Sequence, residues 1–107
     1  MNDYKTWIEA EEWAPGEWNP LNGNTDVSVT LADDEVWTAT FFTYSNVASL
    51  VKENRQNGSG LGGKYFWARN MILVEEISRA RIEEVIARLM ISGEFYEVFE
   101  IDDGDAS

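Results

Sequence analysis

One stretch, Lys64–Met90 (KYFWARNMILVEEISRARIEEVIARLM), constrains the fold more than any other. Met71–Val74 is a continuous apolar run of strand length. Such a run suits a strand buried on both faces, although a buried helix segment has the same periodicity. Aromatic residues before it (Tyr65, Phe66, Trp67) and carboxylates after it (Glu75, Glu76) favour a strand, because aromatic and β-branched side chains fit a pleated surface. Ser78 then reads as a helix N-cap, with Ile77 and Ile82 spaced as a hydrophobic staple. Ile82, Val85, Ile86, Leu89 and Met90 form one apolar stripe at helical spacing. Glu84 and Arg88 are spaced as an i,i+4 ion pair, and Gly93 is positioned to end the helix in the left-handed conformation.

Before this unit the chain reads as strands and turns. Tyr4–Glu12 alternates loosely, with Tyr4, Thr6 and Ile8 on one face and Lys5, Trp7 and Glu9 on the other. Pro, Gly and Asn then mark turns through Asn24, with Trp13 and Trp18 flanking Pro15-Gly16. Two alternating runs, Val27–Leu31 and Val36–Phe42, are separated by Asp33-Asp34 and predict a hairpin. A two-residue loop would pair Leu31 with Val36 and Thr30 with Trp37, making the Leu31/Val36 face the core. Ser45 or Asn46 is placed to cap a short peripheral helix that ends at Asn57-Gly58. After Gly93, residues 95–101 fit either a helical turn or a strand, and 102–107 read as a disordered tail.

The order strand, strand, strand, helix, strand, helix predicts an α+β fold in one domain, residues 1–107. Its sheet is mostly antiparallel, of about four strands, with two helices packed on one face. An exposed sheet face or edge suits pairing with a second copy, so a homodimer is expected.

Composition narrows the chemistry. The chain has no cysteine and no histidine, which removes thiolate sites, the commonest general base and the commonest metal ligand. Neither a cofactor nor a metal is expected, and no EF-hand spacing is present. The net charge is −12, unevenly placed: −8 over residues 1–50, +2 over 51–93 and −6 over 94–107. That balance argues against direct nucleic-acid binding and favours a basic protein partner. No apolar run is long enough to cross a membrane and no signal peptide is visible, so a cytoplasmic protein is expected.

Gly58–Lys64 matches the GxxxxGK half of a phosphate-binding loop. Tyr65 stands where a metal-binding hydroxyl is needed, and the string precedes a strand, not a helix. A flexible loop is the better expectation, and the alternative function is a small-ligand-binding protein whose pocket, beside Lys64, Tyr65 and Trp67, this loop gates. Glu75 and Glu76 end a buried strand, and one of them turned inward with a raised pKa would mark a carboxylate-dependent enzyme. A solvated strand end is the plainer alternative. Trp13 and Trp18 with Glu11, Glu12 and Glu17 form the leading candidate for a partner-binding surface, although loop tryptophans more often fold onto the core.

The segments WIEAEEWAPGEWNP, VWTATFFTY, GGKYFWARNMILVEEISRARIEEVI and GEFYEVFE together resemble a group of small bacterial proteins known only as hypothetical. That group is met among mobile cargo such as integron gene cassettes. The resemblance implies a compact stand-alone domain with an immunity- or adaptor-like, non-enzymatic role in protein binding.

Overall fold

The structure is a computed structural model that describes residues 4–102. Its centre is β3, Val36–Thr43, which pairs on one side with β2, Asn24–Thr30, and β2 pairs in turn with the edge strand β1, Lys5–Ile8. On its other side, β3 pairs end to end with two strands. The parallel β4, Met71–Val74, lies along Thr40–Thr43, and the antiparallel β5, Glu100–Ile101, lies along Trp37-Thr38. The fold is α+β and the sheet is mostly antiparallel, as the sequence predicts, with five strands instead of four.

The β2–β3 hairpin differs from the predicted register by one residue: Thr30 pairs with Val36 and Val29 with Trp37. The loop has three residues, not two. Asp34 N–H donates to Leu31 O (2.9 Å), and Asp34 then takes φ 70°, which lets Leu31 N–H reach Glu35 O (2.8 Å). A turn followed by a left-handed residue is the usual three-residue hairpin loop. Because side chains alternate, a slip of one residue turns β3 over. The buried face of β3 is therefore Trp37, Ala39 and Phe41, not Val36, and it meets Val27 and Val29 of β2 and Ile8 of β1.

The core is closed by α3, Arg79–Ser92, and α4, Phe95–Val98. Ser78 caps α3 by accepting from Arg81 N–H, and Gly93 ends it at φ 83°, both as the sequence indicates. Ile77, Ile82 and Ile86 are fully buried. Glu84 pairs with Arg81 one turn back and not with Arg88, while Arg79 pairs with Glu83. The helical turn of α4 brings Phe95 and Phe99 into a stack at 4.5 Å, with Phe99 edge-on to Phe41 at 6.4 Å and Phe95 beside Trp37 at 5.9 Å. Each such pair is worth about 0.5–1.5 kcal/mol beyond area burial. Residues 95–101 thus use both predicted conformations in succession. Asp102 belongs to the sheet, donating its N–H to Val36 O (2.7 Å), and the rest of the predicted tail, 103–107, lies outside the described residues.

The crossover from β3 to β4 runs through α1, Tyr44–Asn57, and α2, Ser59–Gly63. The cap of α1 is Thr43, not Ser45 or Asn46: its buried hydroxyl accepts from Asn46 N–H (3.0 Å) and from Gly23 N–H (3.1 Å). No residue of α1 is fully buried or joins the core cluster, so helical cover of the core comes from α3 and α4. The glycine string is an ordered turn of left-handed sense, with Gly60, Leu61 and Gly62 at φ 58°, 55° and 69°. Gly62 N–H bonds to Gly58 O and Lys64 N–H to Gly60 O (3.3 and 2.9 Å). The turn folds back against α1. A Cβ on Gly63 would lie 2.7 Å from Val51 O and 2.6 Å from Arg55 Cγ.

That close approach separates two substitutions. Gly62→Ala, with open space around its Cβ, is expected to cost only the left-handed backbone term, about 1–2 kcal/mol. Gly63→Ala adds a backbone clash and should cost measurably more. Urea melts of the two variants check this, and equal losses would show that α2 does not hold to α1.

Candidate functional site

The sheet has one covered face and one open face, and the register decides what stands on the open one. Trp7 pairs with Ser28, Ser28 with Thr38, and Thr38 with Glu100. These four residues form a row across β1, β2, β3 and β5 on the side away from the core. Asp26 and Thr40 form the next row, joined by Thr40 Oγ1 donating to Asp26 Oδ1 (2.9 Å). Together with Ala39, Arg69, Asn70 and Asp102 they line a shallow concavity of about 390 Å³.

The site is acidic with an aromatic wall. Trp7 is 44% exposed and its indole N–H donates to Glu12 Oε2 (3.2 Å). Arg69 makes one exposed ion pair with Glu100 (3.4 Å), a contact of marginal strength in water. Asp26, Glu100, Asp102 and Glu12 thus surround one base. The alternation of Tyr4–Glu12 separates Trp7 from Ile8 without saying which side is open, and nothing local in the sequence brings Asp26, Arg69 and Glu100 beside Trp7.

The predicted site residues are dispersed. Trp13 and Trp18 are half-buried and pack against the core, the plainer of the two expectations for loop tryptophans. Glu17 Oε1 accepts from Ala14 N–H (3.1 Å) and closes the Pro-Gly turn, whereas Glu12 belongs to the open face through Trp7. Glu11 is held by Arg79, whose Nε and Nη2 reach its two oxygens at 2.7 Å. Arg79 also bonds Glu83 and the backbone carbonyl of Thr6 (3.1 Å). It therefore fastens α3 to the outer side of β1 and occupies a carbonyl that an edge strand would otherwise present for pairing. No local sequence signal points to Arg79, because only the fold makes residues 11 and 79 neighbours.

Lys64, Tyr65 and Trp67 are exposed, and the concavity on the sheet face does not include them. Two further concavities also lie elsewhere, beside Lys5 and Leu31 and along Val85, Leu89 and Ile91 of α3. Glu75 and Glu76 form a solvated strand end: Glu75 accepts from Arg81 Nε (2.8 Å) and Glu76 from Ser78 Oγ. The Arg81 hydrogen bond holds Glu75 below the usual carboxylate range, the wrong direction for a general acid. Arg79 does the same to Glu11. No three carboxylates among the described residues are placed to hold a metal, and no helix there is long and apolar enough to cross a membrane. Comparison with protein-family models, curated proteins and solved structures found no match.

The Glu11–Arg79 contact sets a pH dependence. Because the folded pKa of Glu11 is depressed, its stabilisation is complete above the unfolded carboxylate value, roughly pH 4.3, and fades as pH falls through the folded value. Arg79→Ala is expected to lower stability by about 1–2 kcal/mol at neutral pH and less in acid. Thermal melts from pH 3 to 7 check this (roughly the carboxylate range), and parallel curves for both proteins would contradict it.

Proposed function

We propose that the protein is a non-enzymatic interaction module, immunity- or adaptor-like, that receives a cationic protein surface on its open sheet face. The observation that carries this is the cross-strand row of Trp7, Ser28, Thr38 and Glu100, flanked by Asp26 and Asp102. A shallow, polar concavity with an aromatic at one edge offers a partner's arginine or lysine both a carboxylate and a ring face. The whole-chain charge of −12 steers a basic partner towards it. The acidic, Trp-containing surface expected from the sequence is thus kept, but moved from Trp13 and Trp18 to Trp7. Such a role is what the resemblance to mobile-cargo proteins implies, and the cytoplasm is its proposed place.

A tetra-arginine peptide titrated into the protein tests the reading by fluorescence and calorimetry. Asp26→Lys should weaken binding roughly tenfold, equivalent to about 1.4 kcal/mol. Glu17→Lys changes net charge equally but stands on the Pro-Gly turn, and should leave affinity near that of the parent. Equal losses in the two variants would reduce the interaction to general attraction by net charge.

A further inference from the structure

We infer that the cationic surface received by the open face is the α1–α2 arm of a second copy, the two chains exchanging arms across a two-fold axis. The inference rests on the reading of the open face given above. It starts from the arm, whose chemistry is opposite to that of the rest of the chain. From Lys52 to Lys64 there are three bases and one acid, Glu53, in a chain of net charge −12. Lys52, Arg55 and Lys64 make no ion pair among the described residues.

The arm is also apolar where a solvent-facing loop is normally polar. Leu61 is 71% exposed and sits at φ 55°, a conformation that a residue with a Cβ adopts at a cost. An exposed leucine in a strained backbone gains nothing within its own chain, and strain of this kind persists mainly at functional positions. Phe66 turns inward onto Phe42, ring centroids 5.5 Å apart, which leaves Tyr65 and Trp67 on either side facing solvent, Trp67 at 69% exposure. The turn is held to α1 by close contacts at Gly60 and Gly63, so these side chains are presented on a fixed support.

The open face supplies what this arm lacks: Asp26 and Glu100 for its bases, and Trp7 for its apolar apex. Like net charges repel two copies, but that repulsion is screened beyond about 8 Å at physiological salt, whereas contact pairs lie inside that distance. Exchange across a two-fold axis makes the contact twice and closes at two copies, where a one-way contact would grow chains.

Sedimentation velocity of the full chain at physiological salt tests this. The wild type is expected to reach twice the 12.2 kDa chain mass as concentration rises. Arg55→Glu/Lys64→Glu and Asp26→Lys/Glu100→Lys should each be monomeric, and mixing them should restore a dimer, because the reversed charges match. Leu61→Ser/Trp67→Ser should also be monomeric, with circular dichroism confirming that each variant is folded. A monomeric wild type, a dimer that survives in either charge variant, or a mixture that stays monomeric would overturn the inference. The α3 groove at Val85, Leu89 and Ile91 would hold a dimer that survives both reversals. If tetra-arginine binds a monomeric wild type, the open-face reading stands and the second copy is removed; if nothing binds and nothing dimerises, both fall.

Discussion

The left-handed backbone of Asp34 fixes the register of the central hairpin, and through it nearly every surface of this protein. With that residue at φ 70° the loop takes three residues, and Val29 stands opposite Trp37. Trp37, Ala39 and Phe41 then face α3 and α4. One residue of slip would put Thr38 and Thr40 against Phe95 and Phe99 and leave Trp37 and Phe41 in water. Asparagine and aspartate tolerate this conformation better than most residues, which is why a turn without glycine holds here.

The same register assembles the open face. Trp7, Ser28, Thr38 and Glu100 come from four strands that are remote in sequence, and they align only because three successive pairings agree. The face stays open because the helices that cover the sheet, α3 and α4, both lie on the other side. Arg79 secures that arrangement by tying α3 to Glu11 and to the Thr6 carbonyl beside β1. The acidic surface and the stable core thus depend on one another: the elements that bury Phe41 also leave Asp26 exposed.

The crossover from β3 to β4 has a different character. Its helix buries no residue fully, and its glycine turn is shaped by contact with that helix and not with the core. A chain that needed only to connect two parallel strands would have no use for Leu61, Tyr65 and Trp67 in solvent. The arm concentrates base and apolar surface in a chain otherwise dominated by acid.

The sequence makes legible those elements whose signals are local. The Ser78 cap, the apolar stripe of α3, the Gly93 stop, the Met71–Val74 strand and the opposite facing of Trp7 and Ile8 all follow from residues within one or two turns of each other. It also excluded histidine and cysteine chemistry outright. The tertiary structure alone decided the rest, because each remaining feature depends on residues distant in sequence. The hydroxyl of Thr43, which caps α1, also accepts from Gly23 twenty positions away, and Glu11 meets Arg79 across 68 positions. The glycine string looked like a flexible loop because its conformation is set by the approach of α1, which no local pattern encodes. The acidic face, finally, could not be read along the chain, since its members are neighbours only across strands, and the choice of which side of β3 they share was made by a single turn residue.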